Sequence, residues 1–354
     1  MSAKKVLVTG ASGFIGGDAL YALEKAHPTW KFSVLVRSKE TGAKIKKVHP
    51  NVELVIGSLD DFETVSNAAA AADIVLHTAD SSDHQGAARA IAAGLRKSHS
   101  AQNPGYYIHV SGTGILCWYD ADNKRYGEPP LPEQIYNDVE GVDDLLNLPD
   151  SAFHRDVDKI VLEEAAKDPA AVRITIVCPP TIYGVGRGPV NPKSRQIPLL
   201  IESTFDEGLA PISGRGLAEW HYVHVYDLSA LFVILADHAS AGKPIGDSGK
   251  EIWGPRAYFL AEDGIFQWGA ISKLVAYEAY KQGAIEREDT KQFSYYDATA
   301  KGKFDWVSWG QNSRGVSERA RKYLGWQPKQ PSLVDSIPEL VRLEIAARKQ
   351  RESK

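Results

Sequence analysis

The chain has 354 residues, of which 43% are apolar and 24% charged, with two cysteines and a net charge of −4. Mild acidity with no dense Lys/Arg stripe excludes the electrostatic footprint of a nucleic-acid or anionic-membrane binder and leaves a small-molecule substrate as the expected partner. Two isolated cysteines, no Asn-x-Ser/Thr acceptor, no signal or transit pattern and no apolar run of membrane-spanning length fit a cytoplasmic enzyme rather than a secreted disulfide scaffold.

Short β-branched runs at 6–8, 32–36, 52–56, 74–76, 106–110 and 174–177 alternate with stretches of helical composition, among them 67–72 and 87–95. That alternation predicts an α/β fold, a Rossmann-type doubly wound parallel sheet. Near-continuous apolar strands such as VLV and ITIV are what burial on both faces of a sheet requires. Residues 1–180 are therefore expected to form the nucleotide-binding domain. From 181 to 354 the texture changes: PPTIYGVGRGPVNPKSRQIP is rich in Pro and Gly, and aromatic residues thicken through Trp220, Tyr222, Trp253, Tyr258, Phe266 and Trp268. This half is expected to be a smaller substrate-binding region. Within it, 226–238 reads as a helix and 257–260 as a strand, so a stretch of about 221–262 is expected to return to the sheet. Helices are expected at 266–282, 316–324 and 333–348, and the terminal KQRESK is expected to be disordered.

The first strand runs into VLVTGASGFIGG, a buried strand, a glycine-rich turn and a helix start in that order. In that context Gly10 permits the tight turn, Gly13 lets the backbone approach a pyrophosphate, and Gly16 lets the helix lie close to the sheet. Ser12, Phe14 and Ile15 complete the turn as cofactor contacts, and the helix N-terminus offers unpaired N–H groups to the pyrophosphate. At the end of the second strand, where an NAD-binding unit places an acid on the ribose hydroxyl, the chain reads VLVRSKETG. Arg37, with Ser38 and Lys39 beside it, suits a 2′-phosphate, so NADP is expected over NAD.

TGASGFIG resembles the TGxxGxxG of the short-chain dehydrogenases/reductases, specifically the extended branch containing epimerases, dehydratases and dihydroflavonol-type reductases. The resemblance continues in order along the chain. SLDD, with Ser58 and Leu59, is similar to the segment beside the adenine. HTAD, with Thr78, Ala79 and Asp80, is similar to the fourth-strand HxAA. PPTIYGVG, with Pro180, is similar to the segment after the sixth strand, and ARKYLGWQPK to the C-terminal LGWxP.

The resemblance implies a Ser/Thr at the end of the fifth strand and a Tyr-x-x-x-Lys on the next helix. Thr113 matches the hydroxyl, with Ser111 as its neighbour, and Lys159 matches the lysine, where it would hold the nicotinamide ribose. Four residues before Lys159 stands Arg155, a guanidinium that cannot relay a proton near neutral pH but could stabilise an anion. The candidate replacement acids are His154, Tyr183 and Tyr119. The histidines and cysteines match no zinc spacing, so no metal site is expected. The acidic, Pro-broken stretch 120–151 reads as a surface excursion or a lid. The resemblance, with Arg37 and the aromatic residues of the second half, leads to the expectation of an NADP-dependent oxidoreductase acting on a carbonyl or alcohol of a small, apolar or aromatic substrate. The alternatives are a non-redox epimerase, dehydratase or lyase-like enzyme, or a regulatory redox sensor that has lost the catalytic set. The resemblance also implies a homodimer built on the helix bearing the motif.

Overall fold

A computed structural model describes residues 3–242 and 252–353. Seven parallel strands form its central sheet: β1 (Lys5–Thr9), β2 (Lys31–Val36), β3 (Glu53–Ile56), β4 (Ile74–His77), β5 (Gly105–Val110), β6 (Val172–Cys178) and β7 (Tyr258–Leu260). Their order across the sheet is β7-β6-β5-β4-β1-β2-β3. The chain starts in the middle, winds out to β3 and then crosses back past β1 to β4, so the switch point lies between β1 and β4. In such sheets ligands bind at the carboxyl ends of the strands beside the switch point.

Strand alternation divides the core. Val6, Val8, Ile74 and Ile108 face α1 (Phe14–Ala26) and a late helix, whereas Leu7, Val75 and Tyr107 face the opposite layer. On the α1 side lies also α2 (Lys39–Val48), whose Ile45 joins the same core, and the opposite layer is α3 (Phe62–Ala70), α4 (Gln85–Ser98) and α5 (Arg155–Lys167). Both sheet faces are thereby covered, as an all-parallel sheet demands. Gly94 shows how closely the helices approach: a Cβ there would stand 2.1 Å from the Ser66 carbonyl oxygen.

The second half of the chain contributes to both regions. Helix α6 (Val225–Ser240) packs against α1, and β7 pairs in parallel with β6 through Tyr258↔Ile176 and Leu260↔Cys178. Residues 243–251 of the stretch expected to return to the sheet lie outside the described residues. A three-stranded sheet of Gly264–Gln267, Glu219–His224 and Thr181–Tyr183 and the pair Thr290–Phe293 with Ala210–Ser213 build the smaller region around an aromatic core that includes Trp220, Trp268, Trp306 and Trp309.

Two sequence expectations are corrected here. The terminal segment is not disordered: helix Leu333–Glu352 runs almost to the end, with Arg351 Nη1 donating to Glu202 at 3.0 Å and Arg348 Nη1 to Asp206 at 2.8 Å. The stretch 120–151 is also more than a surface excursion, because Val142, Leu145 and Leu148 enter the core. Its Asp120 is fully buried and accepts from the Asn312 backbone N–H and side-chain amide, both at 2.7 Å. Asp138 likewise accepts N–H groups of Leu260, Glu318 and Arg319. The insertion is a clamp between the sheet and the C-terminal region. Among the described residues no helix is long and apolar enough to cross a membrane.

Candidate active site

Gly10 adopts φ +76°, the left-handed conformation that glycine tolerates without a steric penalty. A Cβ there would meet Thr78 Oγ1 at 2.6 Å, and one on Gly16 would stand 2.4 Å from both the Gly10 carbonyl oxygen and Thr78 Oγ1. The turn is thus built for close packing at Gly10 and Gly16. At Gly13 the only near neighbour of an added Cβ among the described residues is the Gly10 carbonyl oxygen at 3.2 Å, so this glycine leaves its outer side open. No side chain caps α1, and its first turn holds no acid. Its N-terminal dipole is therefore uncompensated at the cavity wall, which fits a pyrophosphate.

Thr9 locks the two strands at the switch point. Its Oγ1 accepts from the N–H groups of Thr78 (3.2 Å) and Ala79 (3.3 Å), and Thr78 Oγ1 donates to the Thr9 carbonyl at 2.7 Å. The Thr9 hydroxyl proton is then free to go to His77 Nδ1, 2.6 Å away. His77 is completely enclosed, and burial pulls its imidazole down to about 3, so it is neutral. Asp80, next along, adopts φ +46° as the chain turns away.

The remaining cofactor candidates sit around the same end of the sheet. Arg37 is exposed after β2, and no hydrogen bond or ion pair engages its guanidinium within the described chain. Ser38 caps α2, its Oγ accepting from the Thr41 N–H at 3.2 Å. Ser58 donates to Asp60 at 3.0 Å, while Leu59 packs on the core. Ser12 is half-buried within the glycine turn.

One cavity of about 730 Å³ joins the glycine turn to the C-terminal region. At one end it is lined by Gly10, Gly13, Phe14, Ile15, Gly16 and Thr78, and in the middle by Gly112, Thr113, His154 and Pro180. Its far end carries Trp118, Ile182, Trp220 and Val307. The loop that follows β6 is pulled over α1 by an ion pair that sequence reasoning missed. Arg187 donates to the buried Asp18 from Nε (2.8 Å) and Nη2 (2.6 Å), and Ser229 adds a bond of 2.6 Å. An acid on the buried face of a glycine-rich helix was the available signal, since such a charge needs a partner.

The structure separates the candidate catalytic residues. Thr113 lines the cavity, and its Oγ1 is buried without a hydrogen-bond partner among the described residues. His154 also lines it, held at φ +68° just before α5, with Nδ1 2.7 Å from Asp83 Oδ1. A carboxylate can only accept, so Nδ1 carries the hydrogen of this bond. The other edge of the ring faces the backbone of Gly112 and Gly114, where an added Cβ would lie 3.4 and 3.5 Å from Nε2.

The other three do not reach the cavity. Lys159 Nζ donates to Asp150 at 2.7 Å on the outer side of α5. Arg155 turns its guanidinium to the Leu146 carbonyl, with Nη2 at 2.7 Å. Tyr183 is buried in the aromatic core and donates to the Pro331 carbonyl at 2.5 Å. The helix instead presents Asp158 inward, where Tyr258 donates to it at 2.7 Å and burial pushes its carboxyl up. His154 and Asp158 thus have the four-residue spacing expected of Arg155 and Lys159, one residue earlier. Tyr119 stacks edge-on against Trp118. Among the described residues no group of three metal-ligating side chains comes together.

The comparisons agree with this geometry. The family of NAD(P)H-binding domains matches residues 10–147. The chain is 36% identical over 345 residues to oxidase ucsJ of an Acremonium species, covering 96% of this chain and 97% of that one. It is 24% identical over 273 residues to dTDP-glucose 4,6-dehydratase of Mycobacterium tuberculosis, covering 73% of each. The dTDP-glucose 4,6-dehydratase DesIV of Streptomyces venezuelae, solved with NAD bound, superposes with a TM-score of 0.65 at 16% identity over 98% of both chains, a likeness of fold. With a Rossmann sheet, a glycine turn open to a nicotinamide cofactor and a relative matched along almost its whole length, the chain belongs to the extended short-chain dehydrogenase/reductase family.

Proposed function

We propose that the chain is an NADP-dependent oxidoreductase that interconverts a carbonyl and an alcohol on a small apolar or aromatic substrate, with His154 as its acid–base group. The observation that carries this reading is the placement of His154, fixed by Asp83 at one nitrogen and set on the cavity wall beside Thr113. A nicotinamide cofactor, when bound, supplies or takes the hydride. The chain's own work is then to hold a substrate oxygen and exchange one proton with it.

Thr113 Oγ1 is the neutral donor beside that position. The Nε2 edge of His154 gives the proton in reduction and takes it back in oxidation, while Asp83 stabilises the charge the ring carries between these steps. This division of labour replaces the tyrosine–lysine pair. An imidazole can give a proton in one direction and take it back in the other, so it stands in for the tyrosine without the lysine beside it. Lys159, ion-paired on the outer side of the helix, has no part in it. For the cofactor, Arg37 and Ser38 at the end of β2 support NADP over NAD, because a guanidinium without a protein partner recognises a 2′-phosphate through charge-assisted bonds.

The test is a panel of aldehydes and ketones mixed with the reduced cofactor, read by loss of the reduced nicotinamide's ultraviolet absorbance. Oxidation dependent on substrate, abolished in Thr113→Ala with His154→Ala, supports the reading. A protein that binds cofactor but oxidises none of it across the panel counts against it.

A further inference from the structure

The substrate half of the cavity has an unusual charge arrangement. Its two cations are already engaged: Lys193 Nζ donates to Glu202 at 2.8 Å and to Glu344 at 2.7 Å, and Arg195 Nη2 donates to Asp305 at 2.9 Å. Arg351 also donates to Glu202, at 3.0 Å. Lys193, Arg195 and Arg351 therefore face Glu202, Glu344 and Asp305, and the group is neutral as a whole. An entering phosphate would have to compete with these carboxylates, most steeply at Lys193, whose partner Glu344 is buried, while the exposed Arg195–Asp305 pair is held only loosely.

The aromatic wall is equally specific. Trp118 Nε1 donates to the Tyr136 hydroxyl at 2.8 Å, and Trp220 Nε1 donates to the Gln311 carbonyl at 2.6 Å. Both indoles have their single polar group committed within the protein, so what remains for a ligand is ring surface. Cys117, Ile182 and Val307 extend that surface. Burial pushes the Cys117 thiol up, so it stays protonated and adds no charge.

Resting on the oxidoreductase reading above, we infer that this subsite takes an uncharged, planar aromatic carbonyl compound, its ring against Trp118 and Trp220, and rejects phosphate-bearing sugars. This separates the chain from the nucleotide-sugar enzymes whose fold it shares. The carbonyl end points back toward Thr113 and His154, and the amides of Gln196 and Gln311 offer neutral bonds to substituents at the cavity rim.

Calorimetric titration of the full chain loaded with NADP tests this without requiring turnover. The probes are 2-acetylnaphthalene, 1-tetralone, 2-naphthoate and UDP-glucose. At least one of the two ketones binds saturably, 2-naphthoate binds at least about tenfold more weakly, and UDP-glucose gives no binding heat. Trp220→Leu weakens the ketone about fivefold or more, whereas Glu344→Gln, which removes one of the two carboxylates on Lys193 and leaves it paired with Glu202, narrows the ketone-to-naphthoate ratio. Trp118→Leu gives the same weakening if Trp220→Leu fails to fold. Saturable binding of UDP-glucose, naphthoate as tight as the ketones, or no binding of either ketone overturns the inference. Repeating the titration with His154→Ala separates the two claims: ketone binding persists there even though turnover is lost, and if turnover also persists, only the acid–base assignment falls.

Discussion

His154 Nδ1 lies 2.7 Å from Asp83 Oδ1, a pairing between the residue just before α5 and the turn that leads into α4. The two are far apart in sequence, and the contact depends on the αL backbone of His154 at φ +68°. That backbone breaks the approach to the helix, so that the ring points into the cavity instead of continuing the helical face. A left-handed histidine is uncommon, and such conformations persist where the surrounding structure over-determines them.

The proposed cofactor site uses the open side of Gly13. Gly13→Val is expected to reduce affinity for the cofactor by at least about tenfold, because its branches would stand where the pyrophosphate approaches. The melting temperature changes little, since an added Cβ makes a single close approach, 3.2 Å to the Gly10 carbonyl oxygen. Gly16→Ala, by contrast, lowers the melting temperature as well, because its Cβ would meet two atoms at 2.4 Å. Calorimetric binding and thermal melts on both variants check this.

The proposed preference for NADP assigns the choice to Arg37. Arg37→Asp is expected to weaken NADPH by about 1.5–3 kcal/mol and leave NADH unchanged or improved, which inverts the preference. Parallel titrations with the two reduced cofactors measure the ratio, and an unchanged ratio would reject Arg37 as the selector.

Acid stability follows from the enclosed histidines. Burial draws His77 down to about 3, with His84 adding to the effect, and holds His109 well below the usual histidine range. An unfolded histidine binds its proton near pH 6.5, so the unfolded state binds more protons between that pH and the folded value. The stabilisation is fully present above about pH 6.5 and is lost as pH falls toward 3, on the order of 4 kcal/mol from His77 alone. Asp138 acts oppositely: burial pushes its carboxyl up to about 6, so its contribution is lost as pH rises through that value. The diagnostic is therefore the difference between wild type and His77→Gln in urea melts at pH 7 and pH 4, where the variant shows the shallower acid loss.

The clamp formed by 120–151 should contribute strongly to stability. Asp120 is buried and accepts from Asn312 twice, from Gln134 at 3.0 Å and from Arg125 at 3.1 Å. Asp120→Ala is expected to cost about 3–5 kcal/mol, because it leaves four donors without their acceptor. Chemical denaturation measures the loss, and a change below about 1 kcal/mol would return this segment to the status of surface decoration.

The sheet was legible because its signals are local. Runs of β-branched residues separated by helices specify parallel strands, and the glycine spacing specifies the turn at Gly10, Gly13 and Gly16. The active site was less legible because a helix start decides it. Matching Lys159 placed Arg155 in the reactive position, whereas the αL backbone at His154 and the inward turn of Asp158 put these two residues, one position earlier, on the inner side of the helix. Sequence periodicity carries no information on a one-residue offset of about 100° at a helix's first turn. Tyr183 failed for another reason: an aromatic residue in a Pro/Gly-rich loop resembles a cavity residue, yet its hydroxyl is satisfied by the Pro331 carbonyl inside the core. The pairing of Lys193 with Glu202 and Glu344 joins positions up to 151 residues apart, a distance no local pattern spans.

The central claim is that His154, and not Lys159, exchanges the proton. Single-turnover measurement of reduced-cofactor oxidation with a turned-over ketone, comparing wild type, His154→Gln and Lys159→Ala, tests it most directly. The account predicts that His154→Gln slows the step by about 10²–10⁴ with cofactor affinity unchanged, while Lys159→Ala stays within about twofold of wild type. A His154→Gln variant as fast as wild type, beside a Lys159→Ala variant that is crippled, would contradict it.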